Sequence, residues 1–326
     1  MPDHLMDDRF SRLSRLPQIG DAGRGILAAA RVAIVGCGAL GSHMASHLAR
    51  MGVGELTLVD RDVIEPSNLD RQCLYDEEDA ARGEAKAPAA ARALSRVHSS
   101  GIFRPIVVDL DHTTIARTLG RPGLVLDGTD SFSTRLLLND WCHREGVPWI
   151  HSAVIGTFGQ VLQILPAGPC YRCFLGEEPP AGTAETCDVA GVLPTAVGVI
   201  AALAVTDGLR VLLGDPPATR VKLFQAWEGR LDSMAVRSRE DCPVCVGRRY
   251  EYLGGTRGAP PARLCGGGAV QILPLEVGAP DLPDLARRLG PRVLNRNEYL
   301  IRFEVEGKIV SLFRDGRAIV HGTGDP

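Results

Sequence analysis

The sequence predicts an α/β fold: a mostly parallel, doubly wound sheet with an antiparallel continuation, followed by a small C-terminal α+β module. Three observations predict it. A compact apolar run at 31–35 ends in Gly36-Cys37-Gly38-Ala39-Leu40-Gly41, residues 42–51 continue at helical period, and 55–59 form a second apolar run ending at Asp60. Strand, glycine turn, helix, strand is the opening unit of a Rossmann-like sheet. Later strands and helices alternate along the chain rather than segregate. Finally, a Gly- and Pro-rich break at 254–261 sets off a last stretch with its own short strands.

Taken in order, residues 9–16 and 22–30 predict short helices, the second packed beside the main body. After the opening unit, a helix around 85–95 precedes a strand at 102–108. Another strand at 124–126 ends in Asp127-Gly128-Thr129-Asp130, and 149–152 begins the next. Residues 154–165 alternate, with Gly156 and Gly159 among them, and fit the antiparallel continuation. Residues 189–213 are the most apolar stretch but contain Pro194, Asp207 and Arg210, which predicts a buried helix. Past the break, 269–273, 299–305, 309–313 and 317–321 predict strands and 282–289 a helix. The expected organisation is a large domain over 1–253, a linker at 254–262 and the module at 263–326.

The composition is that of a globular protein, with 326 residues, 45% hydrophobic and 23% charged. A net charge of -3 supplies no basic field for nucleic acid. No uninterrupted apolar stretch reaches about 18 residues, so no membrane span is expected. The first 20 residues are polar and lack an apolar signal region, which makes the cytoplasm the expected compartment. Nine cysteines there point to metal or thiol chemistry rather than a disulfide framework.

Gly36, Gly38 and Gly41 are spaced to turn the backbone tightly, let it approach a phosphate and seat the helix on the strand. The helix N-terminus then offers free N–H groups to an anion, and Asp60, at the end of the second strand, stands where a carboxylate accepts ribose hydroxyls. Ser67-Asn68-Leu69-Asp70-Arg71-Gln72 and Lys86 follow closely, and the chain has only two other lysines, Lys222 and Lys308. Hydride transfer needs no Arg and Lys here, whereas a triphosphate does as pyrophosphate leaves. That favours ATP over a redox dinucleotide. Asp130 ends its strand at the ligand crevice and suits Mg²⁺. The other reading of Asp130, compatible with the first, is the N-cap of a helix for the segment from Ser131. The role of Asp127 is left open.

Cys170-Tyr171-Arg172-Cys173 and Cys242-Pro243-Val244-Cys245 are two Cys-x-x-Cys pairs, which together close a tetrahedral structural Zn²⁺ site. Cys37, Cys73 and Cys142 read as packed apolar residues. Cys187 lies in a polar stretch, an accessible loop thiol whose acidic neighbours do not activate it. Cys265 carries less information still.

The ordered set Arg9-Phe10-Ser11-Arg12, glycine turn, Asp60, Ser67 to Gln72, Lys86, Thr129-Asp130, Cys170/Cys173, Thr186-Cys187 and Cys242/Cys245 resembles the ubiquitin-activating-type superfamily. It is most similar to the bacterial ThiF/MoeB/HesA branch, the sulfur-carrier adenylyltransferases of thiamine and molybdopterin synthesis. The resemblance implies a homodimer in which Arg12 reaches the partner's site. It also implies that Asn68, Arg71 and Lys86 grip phosphates, with Ser67, Gln72, Ala39 and Ser131 beside the nucleotide. Asp60 would hold ribose and Asp130 Mg²⁺, and Cys187 would match a crossover-loop cysteine that some members use in sulfur transfer. Residues 156–161 would guide a carrier's Gly-Gly tail. Ala39 replaces a common glycine, and Ser131 a common asparagine. The expected function is adenylation of a ubiquitin-like sulfur-carrier protein with MgATP, a sulfurtransferase being a further partner. A peptide or tRNA base as acceptor, or non-catalytic binding of a ubiquitin-like protein, are the alternatives.

Overall fold

The computed structural model describes residues 9–179, 190–216, 218–257, 269–272 and 279–323. Its larger sheet contains β1 (Arg31–Val35), β2 (Glu55–Asp60), β3 (Ile102–Val107), β4 (Leu124–Asp127), β5 (Trp149–Ile155), β6 (Phe158–Ile164), β7 (Arg220–Gln225) and β8 (Arg230–Ala235). They lie in the order β3-β2-β1-β4-β5-β6-β7-β8. The first five in that order pair in parallel. The remaining pairs are antiparallel. The alternating stretch expected at 154–165 is the tip of the β5–β6 hairpin: β5 runs on to Ile155, the chain reverses at Gly156-Thr157, and Phe158 opens β6.

The helices begin with α1 (Ser11–Ser14), α2 (Gly20–Ala29), α3 (Ala39–Arg50), α4 (Glu77–Arg82) and α5 (Lys86–Val97). They continue with α6 (Ile115–Leu119), α7 (Phe132–Glu145), α8 (Tyr171–Leu175) and α9 (Pro194–Leu212). Side chains on successive strand residues point to opposite faces, and β1 shows the result. Val32 and Ile34 join one core with Met44 and Leu48 of α3 and Ile200 of α9. Ala33 and Val35 join the other with Leu136 and Trp141 of α7 and Tyr171 of α8. The sheet is therefore covered on both faces, as a parallel sheet requires.

The apolar stretch expected at 189–213 is the helix α9, which starts at Pro194, a residue suited to a first helical turn. By length and composition it could cross a membrane, and 44% of its apolar window is buried. It packs on α3 and on β4, β5 and β6.

The C-terminal residues form a second, antiparallel sheet from β9 (Ala269–Ile272), β10 (Val293–Arg296), β11 (Leu300–Val305), β12 (Lys308–Phe313) and β13 (Ala318–His321). Its order is β10-β11-β12-β13-β9. Helix α10 (Leu282–Leu289) carries Leu282 and Ala286 onto one face against Ile301. The other face sets Leu300, Phe313 and Ile319 against Val63 and Ala85 of the main body.

Candidate functional site

The glycine turn sits at the carboxyl end of β1. Gly36 has φ +86°, and a Cβ there would press within 2.7 Å of the Gly128 backbone, so a side chain is excluded on both counts. A Cβ on Gly41 would collide with the Gly36 carbonyl oxygen, which is how α3 seats on the strand. Gly38 differs: a Cβ would find only the Gln72 amide, 3.9 Å away. The open side of the turn is thus at Gly38, where α3 begins with no side-chain cap. Its free N–H groups, that of Ala39 among them, are available to an anion.

Asp60 lies at the end of β2 and is buried. One oxygen accepts from Cys37 N at 2.6 Å and the other from Asp62 N at 2.7 Å. The carboxylate therefore holds the glycine turn and the next loop in register. Burial raises its pKa, against the pull of Lys86.

Lys86 opens α5, 8% exposed, with its Nζ 3.3 Å from Asp62 Oδ2. Burial lowers its pKa, but Asp62, Asp60 and Asp130 outweigh that and hold the ammonium well above its ordinary value. Lys86 is thus a fixed, desolvated cation beside the turn. The buried Tyr75 hydroxyl lies 2.7 Å from Cys37 O and 3.2 Å from Lys86 O, joining turn to helix.

The loop between them is built on a capping box. Glu65 accepts from the Asn68 backbone, and Asn68 Oδ1 accepts from Glu65 N at 3.1 Å. Asn68 is buried, while Ser67 is exposed. Arg71 folds onto its own loop, 2.6 Å from Ser67 O and 2.7 Å from Asp70 Oδ1. Gln72 is 5% exposed, and its Oε1 is buried without a hydrogen-bond partner, as is Asp62 Oδ1, which has only the Arg61 guanidinium at 3.7 Å among the described residues. Such orphaned acceptors beside an open turn are groups that a bound ligand can satisfy.

Asp130 is exposed at the carboxyl end of β4, and its charge reaches both Lys86 and Arg61. It does not cap the following helix. Ser131 does, its Oγ accepting from Thr134 N at 3.3 Å. This corrects the N-cap alternative for Asp130 and gives Ser131 a structural duty. Asp127, by contrast, is fully buried and accepts from Thr129 N (2.9 Å), Thr129 Oγ1 (2.7 Å) and His151 Nδ1 (2.8 Å). Burial lowers the His151 pKa, against the pull of Asp127. Its Nδ1–H serves Asp127, so Nε2 accepts from Gln160 Nε2 at 3.0 Å. Asp127 scaffolds the loop that presents Asp130.

Arg12 stays apart from this cluster. It is exposed and, among the described residues, reaches only Ser11 Oγ at 3.4 Å. Neighbouring Phe10 packs on Gly52, in the turn that feeds β2, at the sheet end opposite the glycine turn. Thr186, Cys187 and Cys265 lie outside the described residues.

The two Cys-x-x-Cys pairs converge. All four sulfur atoms lie within 4.8 Å of one another, with Cys170–Cys242 at 3.5 Å and Cys173–Cys245 at 3.4 Å. Arg239 N points at Cys173 Sγ, 3.4 Å away. Burial, then repulsion among the sulfurs, pushes the Cys170 thiol well up. Four thiolates can share this space only around a cation, so the donor set fits tetrahedral Zn²⁺.

Residue reasoning had no signal for Asp62, Tyr75 or the Asp127–His151–Gln160 chain. Each acts through a contact made across the fold, and none stands in a spaced motif.

Residues 10–244 match the ThiF family. The chain belongs to the ThiF family. The "Sulfur carrier protein ThiS adenylyltransferase" of Bacillus subtilis (strain 168) is 35% identical over 325 residues, covering 98% of this chain and 96% of that protein. The "SAMP-activating enzyme E1" of Haloferax volcanii is 36% identical over 240 residues, covering 73% and 88%. Among solved structures, E. coli MccB with MccA-N7isoASN superposes with a TM-score of 0.64 at 23% identity, covering 74% of each chain. At that identity it shows the ThiF-type fold alone.

Proposed function

We propose that this ThiF-family chain adenylates the C-terminal Gly-Gly carboxylate of a ubiquitin-like sulfur-carrier protein, using MgATP and releasing pyrophosphate, in preparation for thiocarboxylate formation. The observation that carries the reading is Lys86, a buried ammonium held by Asp62 next to the open glycine turn. The near-full-length similarity to a ThiS adenylyltransferase supports the acceptor class.

A carboxylate with a pKa near 3.5 is ionised at neutral pH, so the attack needs no general base. One carboxylate oxygen bonds to the α-phosphorus while the bond to the bridging oxygen breaks, and pyrophosphate carries the electron pair away. Positioning and charge neutralisation are what the protein must supply. Lys86, Asn68 and the N–H groups of α3 face the phosphates, and Asp60 remains the ribose ligand of this proposal. Arg71 joins by releasing Asp70 and Ser67. Asp130 would hold Mg²⁺, which neutralises phosphate charge when bound. The placement of Arg12 at the far end of its own sheet supports its action in a partner's site within a homodimer.

Zn²⁺ on Cys170, Cys173, Cys242 and Cys245 would be structural, because four protein ligands leave no position for water. Such a thiol-rich site suits the reducing cytoplasm. Cys187 remains the candidate sulfur-transfer thiol, with a separate sulfurtransferase as the other source of sulfur. The pathway is that of thiamine, molybdopterin or a thiolated RNA. ATP–pyrophosphate exchange with candidate Gly-Gly carriers, ThiS first, tests the proposal. Lys86→Ala should slow exchange by about 10²–10³-fold, the scale of losing one charge-stabilising donor. Exchange at the wild-type rate would remove Lys86 from the reaction.

A further inference from the structure

The second sheet is completed by the main body. Its inner face, Leu300, Phe313 and Ile319, is closed by Val63 and Ala85, which form an isolated antiparallel bridge with each other. Val63 follows Asp62, and Ala85 precedes Lys86. The module therefore packs on the two segments that carry the phosphate-facing residues.

Its polar contacts fall on the same loops. Arg317 is 2% exposed, an expensive place for a guanidinium unless it is held. It donates to Arg61 O at 3.0 Å, pairs with Asp315 at 3.1 Å and lies over the Phe313 ring. Its remaining Nη2 is buried without a hydrogen-bond partner, as is the Oδ1 of Asp62, which pairs with Arg61 Nε at 3.7 Å; burial raises the Asp62 pKa, and Lys86, Arg61 and Arg317 together bring it below its ordinary value. His321 contacts Glu65 Oε1 at 3.1 Å through Nδ1 and Ser311 Oγ at 3.2 Å through Nε2. Glu65 is the residue that caps Asn68. Gln271 donates to Asp109 at 2.7 Å, and Asp109 also receives Arg61 at 3.1 Å. Asn295 donates to Arg82 O at 2.7 Å, at the end of α4.

Two chains of contact thus leave the module and end at phosphate-facing residues. One runs from Arg317 through the Arg61–Asp62 segment to Lys86, the other from His321 through Glu65 to Asn68. We infer that the C-terminal module is a brace for the nucleotide site, with Arg317 and His321 as positioning residues that set Lys86 and Asn68 for ATP. This rests on the adenylation reading above. It adds a role for residues beyond the 10–244 that match the family. A displacement of about 1 Å in such groups can cost up to about 10²-fold.

The full-length chain should be assayed by ATP–pyrophosphate exchange, varying ATP and a Gly-Gly carrier separately, for wild type, Arg317→Met, Arg317→Lys and His321→Gln. Melting curves and zinc content serve as controls on the fold. Arg317→Met keeps the apolar stem but removes the donors, and it should raise the KM for ATP about tenfold while the KM for the carrier stays within about twofold. Arg317→Lys should recover most of the loss, and His321→Gln should shift the same parameter in the same direction. An unchanged KM for ATP and unchanged kcat in folded Arg317→Met and His321→Gln would overturn the brace. An equal rise in KM for both substrates would overturn it too, since a loosened fold has no preference for the nucleotide. If Arg317→Met does not fold, His321→Gln alone decides by the same criteria. If wild type catalyses no exchange, the adenylation reading fails, and calorimetry with ATP then decides the brace: an ATP Kd in Arg317→Met equal to wild type overturns it.

Discussion

Asp140 shows how one buried carboxyl can dominate a local pH response. It sits on α7, 1% exposed, and accepts from Tyr252 N at 2.9 Å and Leu253 N at 3.3 Å, tying the segment after Cys245 to the helix. Burial outweighs those donors and pushes its pKa up to about 6, from an ordinary 3.8. The folded state therefore binds this proton more tightly than the unfolded chain. The stabilisation is fully present below about pH 4 and is lost as pH rises through 6, a change of about 3 kcal/mol. Urea denaturation from pH 3 to 7 should show wild type losing about that much relative to Asp140→Asn, and parallel curves would dismiss the effect. Residues of this kind carry no sequence signal, because their chemistry is set by what packs over them. Asp60 was legible because its distance from the glycine turn follows from the length of one helix and one strand, and Lys86 because it is one of only three lysines and follows closely on Ser67 to Gln72.

Among elements, the legible ones are those with a regular apolar period. The opening strand–turn–helix–strand unit, α9 and α10 all fall where the pattern predicts them. Strands β7 and β8 were not expected, and the reason is visible: β8 is exposed along its whole length, so it has no buried face to alternate. Helix α7, expected only as the segment that Asp130 could cap, lacks a period for the opposite reason. Its residues Arg135 to Cys142 are buried in succession, which erases the helical period. Beside the apolar contact of Phe224, a charged contact joins β7 to α9, Lys222 with Asp207, the latter 2% exposed. Lys222→Ala would strand the Asp207 charge and should cost about 3 kcal/mol. The double variant Lys222→Ala/Asp207→Ala should recover part of that loss in denaturant melts. Strict additivity of the two losses would mean that the pair does not interact.

At the scale of the whole molecule, the four cysteines join two parts of the chain that nothing else in the sequence connects. Cys170 is the N-cap of α8 and Cys173 lies within it, Tyr171 of that helix packing on Trp149 and His151 of β5, and Cys242 and Cys245 lie past the end of β8. A metal there closes a long loop, so its loss acts on the folded ensemble as a whole. Elemental analysis should find one zinc per chain. Its removal by a strong chelator, or Cys242→Ser, should lower the melting temperature by about 5–10 °C, equivalent to several kcal/mol. A zinc-free chain that melts at the same temperature would show the site to be dispensable.

Local spacing in the sequence settled the order of strands and helices in the opening unit, the glycine turn with its acidic partner, and the two Cys-x-x-Cys pairs. These are short-range facts: each depends on a handful of consecutive residues and on the fixed rise of a helix or strand. Only the tertiary structure decided that Asp62 holds Lys86, that Ser131 rather than Asp130 caps α7, that Asp127 faces inward to His151, and that the C-terminal sheet leans on Val63 and Ala85. Those outcomes belong to pairs of residues far apart in the chain, and which pairs meet is fixed by burial and packing over the whole fold.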